Sequence, residues 1–109
     1  MAEIKSIFNI YRERKCKIDN LEIEIENLRL TGYEESDIRI KDLTKEINRL
    51  RNENKRIDNI LNLLPEREYK VVKLVLIECK DKKKVASEID RTKRQVDRIL
   101  NDVAKKIIL

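Results

Sequence analysis

The sequence contains no histidine or tryptophan, a single glycine and a single proline, and only two cysteines, Cys16 and Cys79, among 109 residues. Each scarcity removes a class of chemistry. Without imidazole there is no histidine general base, and with two cysteines the usual four-ligand zinc site cannot be assembled within one chain. One glycine cannot build a phosphate-cradling loop, and no hydroxyl has a recognisable activating partner. The expectation is a protein that is not an enzyme and holds no metal or cofactor. Two cysteines far apart in helical patterns are reduced filler rather than a disulfide framework. No apolar run approaches the ~20 residues that cross a bilayer, and the start Met1, Ala2, Glu3, Ile4, Lys5 lacks a signal peptide's apolar stretch. The expected location is the cytoplasm, with no membrane partner.

What is abundant is Ile, Leu, Glu, Lys and Arg, with 43% of residues charged. That is the composition of long helices. The net charge of +5 is unevenly placed: residues 1–64 hold 13 basic against 13 acidic side chains, whereas residues 80–106 hold 10 against 5. A localised positive field suits a polyanion.

From Ile4 the apolar residues recur in alternating steps of three and four: Ile4, Ile7, Tyr11, Arg14, Ile18, Leu21, Ile25 and Leu28, with Arg14 the only polar member. After an interruption at residues 31–36 the pattern resumes as Ile40, Leu43, Ile47, Leu50, Asn54, Ile57, Leu61 and Leu64, with Asn54 the only polar member. Sustained three-four spacing with charged flanks is a coiled-coil seam. Gly32 can end the first helix in the left-handed region, and Ser36 or a nearby acidic residue can cap the second. Folding the chain about residue 34 predicts an antiparallel hairpin over 1–63 in which Leu28 meets Ile40, Ile18 meets Leu50, and Arg14 meets Asn54 in one polar layer that specifies register. A second stripe, Cys16, Ile23 and Leu30 with Ile38 past the turn, lies away from this seam. It is a candidate face for a homodimer, with the tail Ile107, Ile108 and Leu109 as the rival surface.

Pro65 ends the second arm and suits the first position of a new helix. Residues 64–109 are therefore a separate domain. Residues 66–79 are apolar nearly all round and predict a buried helix, although a buried strand has the same pattern. Two more helices are expected, Lys82 to Ile89 and Lys93 to about Ile108, separated by Asp90, Arg91 and Thr92. Thr92 with Gln95 three residues on is a capping box. Two helices across so tight a turn, with small Ala86 at their approach, form a helix-turn-helix. The expected DNA-binding residues are Lys93, Arg94, Gln95 and Arg98 with Thr92 on the second helix, and Lys82, Lys83 and Lys84 opening the first. Arg and Lys suit guanine edges or phosphates, and Gln suits adenine. The fold class is all-α: a helical hairpin followed by a three-helix helix-turn-helix domain that takes double-stranded DNA.

Residues 63–109 resemble the C-terminal, upstream-promoter-reading domain of sigma factors, which sigma-like phage late-transcription activators of the ArpU and RinA kind also carry. Leu64, Pro65, Glu66, Arg67 and Glu68 are similar to that domain's opening, and Val85, Ala86, Ile89, Thr92, Val96, Leu100, Lys105, Lys106 and Ile107 fall at its framework and basic-tail positions. Asp90 stands where the family's turn usually has Gly, and Arg91 replaces an apolar residue. The resemblance implies a sequence-specific transcription regulator, phage or prophage encoded, that acts at a promoter with host RNA polymerase. Two other functions fit the same residues: a small-terminase-like DNA-packaging subunit, and a protein-only adapter whose basic helices grip an acidic partner.

Overall fold

A computed structural model describes residues 2–108, with side chains from residue 3. Among the described residues there are five helices and no strand: α1 Ala2–Leu30, α2 Ile38–Leu63, α3 Glu66–Val72 with a π-helical continuation over Lys73–Ile77, α4 Lys82–Glu88 and α5 Lys93–Ile108. No helix is long and apolar enough to cross a membrane. The ambiguous apolar segment after Pro65 is thus helical. Its π-helical part explains how Val71, Val72, Leu74, Val75 and Leu76 are all buried. A bond from Glu78 N–H to the Lys73 carbonyl, five residues back, admits one more residue per turn than an α-helix and widens the buried face.

The chain divides into two compact units, Ile10–Arg56 on one side and Met1–Asn9 together with Ile57–Leu109 on the other. The helix break at Pro65 is therefore not where the compact units part; the division falls inside both α1 and α2.

Within Ile10–Arg56, Ile18, Ile25, Ile40, Ile47 and Leu50 form the core, with Leu21, Leu28, Tyr33 and Leu43 packed against it. All but Tyr33 come from the two three-four stripes. Partners run in opposite directions along the two helices: Arg14 reaches Asn54, Arg51 reaches Glu22, and Arg29 reaches Glu35. The two polar members meet as the spacing predicts. Asn54 is 2% exposed, accepts from Arg14 Nη1 at 3.3 Å and donates from Nδ2 to the Tyr11 carbonyl at 3.1 Å. Arg14 also pairs with Glu53 at 3.1 Å, so its charge is compensated at the rim. Asn54→Ala removes both amide bonds and leaves a hole, and is expected to cost about 1–3 kcal/mol by urea denaturation. An unchanged midpoint would mean that the layer contributes nothing to stability.

The turn follows from Gly32. Its φ of +96° belongs to the left-handed region, and the Tyr33 N–H to Leu28 and Gly32 N–H to Arg29 bonds close a Schellman motif that satisfies the last carbonyls of α1. Asp37 caps α2, accepting from the Arg39 N–H at 2.9 Å. Arg14, Arg29, Arg39, Arg49 and Arg51 of this unit are matched by acids. Hydrogen bonds from Arg29 and Arg49 hold the Glu35 and Glu46 carboxyls below their ordinary values, so both remain ionised.

In the other unit the core is built by Ile4 and Phe8 of α1, Ile57, Leu61 and Leu64 of the α2 end, and the inward faces of α3, α4 and α5. The seam predicted at Ile7 passes instead through Phe8, which is 0% exposed, while Ile7 is half-buried. Near its start α1 belongs to a multi-helix core, and the position four residues after Ile4 serves that core better than the one three after it. Helix α5 packs on α3 and α4, and α4 packs on the π-helical turn. In the tail, Ile107 is 2% exposed and so is not part of any free surface, while Leu109 lies outside the described residues.

Candidate nucleic-acid interface

Helix α4 starts at Asp81, whose side chain accepts from the Lys83 N–H at 2.8 Å. Three lysines then occupy its first turn. Cations at a helix N-terminus oppose the macrodipole, so Lys82, Lys83 and Lys84 do not stabilise α4 through its dipole. At the other end the Arg91 N–H bonds to the Ala86 carbonyl at 2.8 Å and the Asp90 N–H to Ser87 at 3.3 Å, a second Schellman motif. Asp90 takes the left-handed position with φ +55°. It therefore adopts, without being glycine, the conformation that glycine most easily supplies, and Asp is among the few residues that tolerate it.

Helix α5 begins with the predicted reciprocal cap. The Gln95 N–H donates to Thr92 Oγ1 at 3.2 Å, and the Thr92 N–H donates to Gln95 Oε1 at 2.9 Å. Thr92→Ala is expected to cost about 1 kcal/mol in chemical denaturation, with Gln95→Ala coupled to it in a double-mutant cycle because both bonds belong to one motif. Additive losses would show two independent contacts. Val96, Ile99, Leu100, Val103, Ala104 and Ile107 face inward.

The expected site residues fall into two groups. Lys83, Lys84, Lys93, Arg94 and Arg98 are exposed, and their side chains make no ion pair or hydrogen bond among the described residues. The other three are engaged. Lys82 is ion-paired to Asp97 at 2.8 Å and ties α4 to α5, and Thr92 and Gln95 spend their side-chain oxygens on the cap. Gln95 is half-buried, with its amide oxygen committed, so it is poorly disposed for the two-point contact to adenine expected from its type. Its role in this geometry is to define where α5 starts. Asn101, which the sequence did not single out, is exposed on the outward side of α5. The signal was its spacing, three residues after Arg98 and seven after Arg94, along the same face.

Comparison with known protein families, with characterised proteins and with solved structures gives no match for this chain.

Proposed function

We propose that the protein is a small, non-enzymatic, sequence-specific DNA-binding transcription regulator, phage or prophage encoded, that works in the cytoplasm at a promoter with RNA polymerase. In this reading residues 1–63 form a coiled-coil hairpin for self-association, and residues 64–109 form a sigma-like helix-turn-helix with α5 as the recognition helix. The observation that carries it is the gathering of open cations on two adjoining helices: Lys83, Lys84, Lys93, Arg94 and Arg98 of α4 and α5 are exposed and reach no carboxylate among the described residues. Cations left without an internal counter-charge on adjoining helices are suited to an external polyanion, and duplex DNA carries one charge per ~1.7 Å of axis.

Fluorescence anisotropy with a labelled random-sequence duplex across a salt series tests this. Binding at low salt, with an affinity that falls by up to about 4.5 decades per decade of salt if all five cations meet phosphates, is the expected result. No retention at low salt would favour the protein-only adapter.

The dimer is assigned to the outer stripe of α1, where Ile23 is 55% and Leu30 78% exposed, together with Ile38 at 70%. Apolar side chains this open, aligned at seven-residue spacing, are suited to a second copy. Replacing Ile23 and Leu30 together by Glu is expected to shift sedimentation from dimer to monomer while helicity is retained. An unchanged mass would place self-association elsewhere.

A further inference from the structure

We infer that base reading by α5 extends to Asn101, and that Arg94, Arg98 and Asn101 select two guanines and an adenine within about four base pairs. This rests on the reading of α5 as a recognition helix. The argument starts from the buried stripe. Val96, Leu100, Val103 and Ile107 mark the inward side of α5, and at 3.6 residues per turn the opposite side carries Arg94, Arg98, Asn101 and Lys105, all exposed. No acidic residue lies on that line. Two acids flank it: Asp97 is held by Lys82, so its charge is compensated, and Asp102 is exposed on the other edge, four residues after Arg98.

Asn101 has no reason to be there for the helix itself. Asn is a poor residue for a helix interior, and this one makes no hydrogen bond among the described residues, so its amide donor and acceptor are both available. An Asn amide offers N–H and C=O side by side, the pair that matches N7 and N6 of adenine, as the guanidinium fork matches O6 and N7 of guanine.

Spacing along the helix sets the spacing of the bases. At about 1.5 Å per residue Arg98 lies ~6 Å beyond Arg94, and Asn101 ~4.5 Å beyond Arg98. Base pairs are stacked at about 3.4 Å, so the two arginines address pairs about two steps apart and Asn101 the next pair or the one after. Lys105, a further turn on, reaches the backbone flank and supplies charge without base preference.

The test is selection of bound duplexes from a randomised library by the full-length protein, followed by competition with single-base variants of the selected duplex. The expected consensus contains two guanines and, one or two pairs beyond the second, an adenine. Asn101→Ala is expected to lower affinity for the selected duplex about 5- to 150-fold and to equalise the four bases at the adenine position alone. It should leave affinity for random duplex and the salt slope unchanged, because Asn101 displaces no counterion. Misfolding does not confuse this variant, since Ala is the better helix former at an exposed interior position. If Asn101→Ala keeps the parent's preference at every position while Arg94→Ala and Arg98→Ala lose theirs, the inference fails and the recognition helix stands. If the parent retains no duplex even at low salt, both fail together.

Discussion

Replacing Phe8 by Ala is expected to destabilise the unit that contains α3, α4 and α5 by about 3–5 kcal/mol, although Phe8 is separated from α3 by the whole of residues 10–56. Phe8 is 0% exposed, and the ring's removal forfeits both its transfer from water and the packing of the atoms around it. Such a loss is of the order of a small domain's entire stability, ~5 kcal/mol at the low end, so the variant should be largely unfolded in moderate urea. Ile7→Ala, one residue away and half-buried, is the control and should cost about 1 kcal/mol. Urea denaturation followed by circular dichroism compares them. Equal costs for the two substitutions would show that α1 does not enter this core through Phe8.

The second large effect is on DNA. Arg94→Ala is expected to reduce affinity for a selected duplex by about 1–3 kcal/mol more than for random duplex, because a forked contact to a guanine edge discriminates between bases. Lys83→Ala and Lys84→Ala are expected to weaken selected and random duplexes alike, each lowering the salt slope by about 0.9, because a lysine on a phosphate only displaces a counterion. All three side chains are exposed and unpaired among the described residues, so none of the substitutions removes an internal contact. Anisotropy on both duplexes across a salt series separates the two classes. Arg94→Ala binding both duplexes as the parent does would sink the assignment of α5 as the reader, and Lys83→Ala relaxing base preference would move reading to α4.

Much of the helical layout was legible because it rests on local rules. The three-four stripes placed Ile18, Ile25, Ile40, Ile47 and Leu50 in one core, and the two polar exceptions, Arg14 and Asn54, met in one layer. Gly32 announced its own left-handed turn, and Thr92 with Gln95 announced the start of α5. Capping and periodicity act within a few residues, so they can be read without knowing the rest of the fold.

Other features depended on neighbours distant in sequence. Nothing local distinguishes Ile7 from Phe8 as the inward residue; that choice belongs to the core in which the start of α1 takes part. The left-handed conformations at Cys79 and Asp90 were equally invisible, since neither residue advertises positive φ as glycine does. Their strain is tolerated because the helices on either side are held by packing. The same holds for the candidate interface. Residue type alone grouped Lys82, Lys83, Lys84 and Gln95 as contacts, but only the approach of α4 to α5 brought Lys82 to Asp97 and left Lys83 and Lys84 open. The sequence by itself determined the helices, their caps and the region where positive charge collects, because those are properties of short stretches of chain. The tertiary structure decided which charges are neutralised and which remain available, because an ion pair between helices exists only once packing has set their separation.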